Sequence, residues 1–135
     1  MALNDSISGL PESMMVEPGV VGDWSLKDLL AHVSTWEEET LKALPMLIEG
    51  KRPVGYHGID RFNAEQQKLW RDLPLGEVRK RLGEMHRRLL AYLAVVPEEH
   101  FSRETRVRHR LRLDTYRHYR EHTVSILEWR KAKGI

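Results

Sequence analysis

The clearest periodic pattern in the chain lies between Ser25 and Gly50. Leu26, Leu29, Leu30, Val33, Trp36, Leu44 and Leu47 recur every three or four residues and form one apolar stripe, the mark of an amphipathic helix. Ser25 is a favourable N-cap, and Asp28 three positions on gives a capping-box-like start with negative charge at the positive helix end. Pro45 falls late and is expected to kink or tighten the last turns, and Gly50 supplies a stop. The segment "KRPVGYHG" reads as a loop.

A shorter helix is expected after Asp60, through "RFNAEQQKLWRD", with Asp60 as its cap. Pro74 suits the first turn of a third helix, which buries Val78, Leu82, Met85, Leu89, Leu93 and Val96 by the same spacing until Pro97 stops it. The stretch "EEHFSRETRVRHRLRL" lacks clear helical periodicity. From Arg106 to Arg112 it alternates Arg or His with Val or Leu, the pattern of a short extended piece. Asp114 or Thr115 then opens the last helix, running to about Lys131. Near the N-terminus Leu3, Ile7, Leu10 and Met14 have helical spacing, but Gly9 and Pro11 limit any helix to a turn or two. Three long helices and a short one, joined by modest loops, make an all-α bundle.

Composition narrows the chemistry. A chain of 135 residues without cysteine is expected to be one domain, residues 1–135, with a core that needs no staples. Disulfides, thiolate metal sites and a thiol nucleophile are excluded. The N-terminus has no basic start followed by a long apolar run, and no stretch approaches the roughly 18 apolar residues of a membrane span. A cytoplasmic protein is the expectation. Residues 1–60 hold 4 Lys/Arg against 10 Asp/Glu, and residues 61–135 hold 18 against 10. That asymmetry points first to acidic and basic helices, or subunits, facing one another. Arg103, Arg106, Arg108, Arg110 and Arg112 raise a nucleic-acid partner as a lesser reading, disfavoured because no groove-reading motif accompanies them.

The last helix places His118 and His122 four residues apart in "RHYREH". Seven histidines in this length give about 0.3 such pairs by chance, so spacing alone is weak evidence. The face matters more. Arg117, Glu121 and Glu128 fall on the outer side, whereas His122 lies near Thr115, Tyr119, Ile126 and Trp129, with His118 at the border. Two inward imidazoles one turn apart can reach a common metal ion. They can equally be ordinary helix residues bonded to carboxylates or carbonyls. His32 lies beside the apolar stripe, with Asp28, Thr35 and Glu39 on its side of the helix. A carboxylate there can hold the second nitrogen of a metal-bound imidazole, though a solvated helix edge is the simpler explanation. His57, His86, His100 and His109 read as surface residues.

The stretch "DWSLKDLLAHVSTWEEETL", with Trp24 and His32 eight residues apart, resembles the signature of the DinB-like superfamily of four-helix bundles. "HYREHTVSILEWR" is similar to that family's closing helix, and Asp60 and Asn63 of "GIDRFNAEQ" are similar to the Asp-x-x-Asn segment of ClbS/DfsB-type and related subgroups. The resemblance covers roughly Gly22 to Arg130. It implies a DinB-like four-helix bundle with a shortened first helix, in which His32, His118 and His122 converge on a divalent metal. Zn or Ni is expected, with Fe or Mn as alternatives. Asp60 and Asn63 are candidates to line the pocket mouth, and Trp36 to wall the pocket. Trp36 is alternatively a core residue, and Asp60 alternatively a helix cap. An open fourth position on a metal held by three histidines would give hydrolysis, while the resemblance implies thiol-dependent transfer with a low-molecular-weight thiol, in either case on a small electrophilic compound. The alternative is a non-catalytic bundle that sequesters a small molecule. The short first helix leads to the expectation of a homodimer whose partner covers an exposed apolar face.

Overall fold

The computed structural model describes residues 2–135; Met1 of the expected 1–135 domain lies outside them. Its helices are α1 (Ala2–Ile7), α2 (Glu12–Met15), α3 (Leu26–Ile48), α4 (Ile59–Trp70), α5 (Leu75–Val95), α6 (Arg106–Asp114) and α7 (Tyr116–Lys133). A single 3-10 turn spans Glu98–His100, and the only extended pairing among the described residues is an isolated bridge between Val21 and Trp24. This is an all-α bundle of a short, broken first helix, α3, α5 and the α6–α7 arm, with α4 packed on α3.

Helix α3 starts as its sequence dictates. Ser25 accepts from the Asp28 backbone N–H at 3.1 Å, and the Asp28 carboxylate accepts from the Ser25 N–H at 2.9 Å. This reciprocal cap satisfies two N–H groups that the first turn leaves without helical partners. Pro45 is accommodated inside the helix, which ends at Ile48. Gly50 follows with φ +76, a left-handed conformation that glycine adopts without a Cβ penalty.

The expected single stripe on α3 is too narrow. α3 packs against α2, α4, α5, α6 and α7, and every residue from Leu29 to Glu37 is buried. Ser34, Thr35, Glu37 and Thr40 resemble a solvated face in the sequence, yet they lie inside. The threonines are tolerated there because Thr35 donates to the Ala31 carbonyl at 3.0 Å and Thr40 lies 2.9 Å from the Trp36 carbonyl. A hydroxyl bonded within its own helix escapes most of the cost of desolvation. The apolar core joins Leu26, Leu29, Leu30 and Val33 of α3 to Val78 and Leu82 of α5 and to Ile126 and Trp129 of α7. Each fully buried Leu or Ile contributes about 1.5–3 kcal/mol. Of the α5 residues expected inside, Val78, Leu82 and Leu89 are buried, whereas Met85, Leu93 and Val96 are only half-buried.

The segment expected to be extended is helical. Thr105 caps α6 by accepting from the Arg108 N–H at 3.1 Å, and Val107 and Asp114, seven apart, face inward. The inner face of α6 is largely polar, carrying Arg110 and Asp114, so apolar periodicity could not reveal it. Arginine's good helix propensity then outweighs the two-residue alternation. Thr115, at φ −122 and ψ −95, breaks the chain between α6 and α7.

The first helix is short, as expected. α1 buries Leu3 and ends at Ile7, and Gly9 turns the chain with φ +77. Arg130 of α7 donates to the carbonyls of Ser6 and Ser8 at 2.9 and 3.0 Å, satisfying the open end of α1.

Candidate metal centre

α3 and α7 bring His32, His118 and His122 together. Nε2 of His118 lies 2.9 Å from Nε2 of His32 and 2.7 Å from Nε2 of His122. The rings stand nearly edge to face, with centroids 4.4–5.1 Å apart. His32 is buried among the polar positions of α3, and the other two are half-buried. Trp24 packs its ring 5.0 Å from that of His32.

The electrostatics of the cluster keep the imidazoles neutral. Burial lowers His32 to about 3, with His118 and His122 adding to the effect. Burial, then the nearby His118, lowers His122 to about 4. Burial also lowers His118, with partial opposition from Asp114. Neutral imidazoles are what a metal ion requires of its ligands.

An outer contact sets the tautomer of His118. His118 Nδ1 faces the carbonyl oxygen of Asp114 at 3.3 Å. With the proton on Nδ1, Nε2 carries a lone pair directed at the other two rings. One lone pair cannot serve two short donors equally well, whereas a cation at the centre satisfies three lone pairs at once. Tetrahedral coordination at about 2.0–2.1 Å places nitrogens roughly 3.3 Å apart. The three side chains need to spread only slightly to reach it, so the donor set fits a divalent ion.

Asp114 is tied on both sides. Its Oδ2 accepts from Arg110 Nε at 2.5 Å and lies 2.9 Å from the Thr40 hydroxyl of α3. Arg110 also donates to the Tyr56 hydroxyl and lies over the Trp36 and Tyr56 rings at 6.0 and 5.5 Å. This network bridges the 51–58 loop, α3 and α6, and it fixes the backbone that holds His118.

A cavity of about 340 Å³ opens onto His32 and His118. Trp36, Tyr56, Asn63 and Arg110 form its walls. Trp36 is 7% exposed within the core and borders the cavity. Its indole N–H donates to Asn63 Oδ1 at 2.9 Å. Asp60 neither lines this cavity nor caps α4. Gly58, at φ +106, holds the N-cap position, and Asp60 is exposed in the first turn. The Asp28 carboxylate, a candidate to hold a histidine, is taken up by the helix cap.

Sequence reasoning missed several members of the site. Arg110 and Asp114 stand four apart, but that spacing also describes many surface pairs. Tyr56 gave no signal in its loop. His86 was expected at the surface, yet its Nδ1 lies 3.1 Å from Oε1 of the fully buried Glu37, to which the Tyr119 hydroxyl also donates. Of the arginines that suggested nucleic acid, Arg110 is internal and Arg112 pairs with Glu104.

No helix among the described residues is long and apolar enough to cross a membrane. No curated protein and no solved structure matches the chain. A family model described as the DinB superfamily matches residues 1–126, extending the resemblance read from Gly22 onward to the N-terminus. The chain belongs to the DinB superfamily.

Proposed function

Starting from membership of the DinB superfamily, we propose that this protein is a divalent-metal-dependent enzyme acting on a small electrophilic compound, by hydrolysis or by transfer to a low-molecular-weight thiol. The observation that carries the reading is the convergence of three neutral imidazole nitrogens beside a cavity of small-molecule size. His32, His118 and His122 would hold the ion, Zn or Ni by preference and Fe or Mn as alternatives. When bound, a divalent ion supplies a Lewis-acidic position beyond the three imidazoles. The chain's own residues do the rest. Trp36, held by Asn63, and Tyr56 form apolar walls that exclude water from a bound compound. Asp114 keeps His118 in the tautomer that presents Nε2. With no cysteine in the chain, a thiol must come from the substrate side.

The experiment is metal analysis of purified, untagged protein, alongside His32→Ala and His122→Ala. Near-stoichiometric metal in the wild type and its loss in both variants is the expected result. Wild-type protein that is metal-free and takes up neither Zn²⁺ nor Ni²⁺ sinks the reading.

One observation favours a second reading, a bundle that sequesters a small molecule without turnover. Apart from the histidines, the ionisable groups lining the cavity are Tyr56, Arg110 and Asp114, and they are bonded to one another. A saturable ligand that is recovered unchanged distinguishes this from catalysis. The proposed assembly is a homodimer. Leu90 and Val95 of α5 and Val124 and Leu127 of α7 are all at least 50% exposed, and a second copy would cover them. Light scattering at micromolar concentration should give twice the 15.9 kDa chain mass; a monomeric mass refutes it.

A further inference from the structure

A second and larger cavity, of about 630 Å³, lies between the N-terminal segment and α5, against Leu30 of α3. α1 and the turn at Gly9, with φ +77, line one side of it and α5 the other. The α5 residues lining the gap are Arg79, Leu82, Gly83, His86 and Arg87, which recur every three or four positions on one face.

Three features of that face point to a ligand. The lining holds two guanidinium groups and no carboxylate, and neither Arg79 nor Arg87 forms a salt bridge among the described residues, whereas Arg81 on the same helix pairs with Glu77. His86 lines the same face, its Nδ1 engaged by the buried Glu37. Gly83 sits mid-helix, where glycine costs about 1 kcal/mol relative to alanine. A Cβ there would meet only Arg87 Nη1, at 3.6 Å, so neither backbone conformation nor protein packing demands the glycine. It keeps the cavity floor open. Opposite the cations, Ile7, Leu10 and Leu30 supply an apolar wall.

We propose that this cavity binds a small amphipathic anion, a carboxylate with an apolar tail, its charge between Arg79 and Arg87 and its tail against Ile7, Leu10 and Leu30. The site is separate from the histidine cluster and does not depend on the reading of that cluster.

The test is calorimetric titration of the full chain with octanoate, with decyltrimethylammonium as the oppositely charged probe. One saturable octanoate per chain is expected, weakening with salt, and no saturable binding of the cation. Gly83→Leu fills the floor while improving helix propensity, so it should melt no lower than wild type and lose octanoate binding at least about tenfold. Arg79→Gln with Arg87→Gln should weaken octanoate about tenfold and flatten its salt dependence. Undiminished octanoate binding by Gly83→Leu, equal uptake of both probes, or no saturable octanoate overturns the proposal. A dimer that takes up no octanoate would assign the cavity to a second copy and overturn it as well.

Discussion

His118 presents Nδ1 to the carbonyl oxygen of Asp114 at 3.3 Å, four residues earlier and across the break at Thr115. The relationship joins a candidate metal ligand to the residue that anchors α6 on α3. The carbonyl orients the imidazole, while the side chain of Asp114 binds Arg110 and Thr40. Site geometry and bundle stability therefore share one residue.

Replacing Asp114 by alanine should lower stability by about 3 kcal/mol, since a buried charge pair loses one partner. Urea unfolding measures it. Metal content at saturating Zn²⁺ should fall less than in His118→Ala, because the backbone carbonyl survives the substitution. Equal loss of metal in the two variants would contradict the separate roles of carbonyl and carboxylate.

If the three histidines hold an ion, chelation should lower the melting temperature of the wild type. At an ion concentration 100 times the dissociation constant, the stabilisation removed is about 2.7 kcal/mol. His32→Ala, which lacks one of the three ligands, should respond far less. A chelator that shifts both proteins equally would assign the metal elsewhere.

Glu37 is fully buried, and Oε2 of its carboxylate has no partner among the described residues. Burial raises its pKa above the ordinary 4.5, opposed by the hydrogen bonds of Tyr119 and His86. The folded state thus holds this proton more tightly than the unfolded chain. Its contribution to stability is fully present below pH 4.5 and is lost as pH rises through the folded value. Glu37→Gln keeps an acceptor for Tyr119 and removes the titration. Its stability should depend less on pH than the wild type's and compare better as pH rises above 4.5. Chemical unfolding over a series of rising pH would expose the error if the wild type gained stability relative to the variant.

Asn63→Ala removes the acceptor for the Trp36 indole N–H, at a cost of about 1 kcal/mol. The indole borders the cavity, so its fluorescence should become more sensitive to a soluble quencher. An unchanged quenching constant would mean that Asn63 does not fix the Trp36 wall.

The sequence by itself determined the helices whose signals are local. Ser25 and Asp28 cap α3 through groups three residues apart, and the spacing of Val78, Leu82 and Leu89 marks the buried side of α5. His118 and His122 were legible as a pair because one helix turn sets their separation. His32 was legible as a candidate on its own helix, and only the resemblance joined it to the pair, since nothing local links residues 86 positions apart. Tertiary structure decided what depends on neighbours. It buried the polar side of α3, where Glu37 and Thr40 find partners on α5, α6 and α7. It made a helix of the Arg106–Asp114 segment, whose inward residues are ionic and leave no apolar period to read. It moved His86 from the expected surface to a buried carboxylate. The physical reason is common to all three. Apolar burial follows a period set by the backbone, whereas the burial of a polar group depends on a partner that the fold brings from elsewhere.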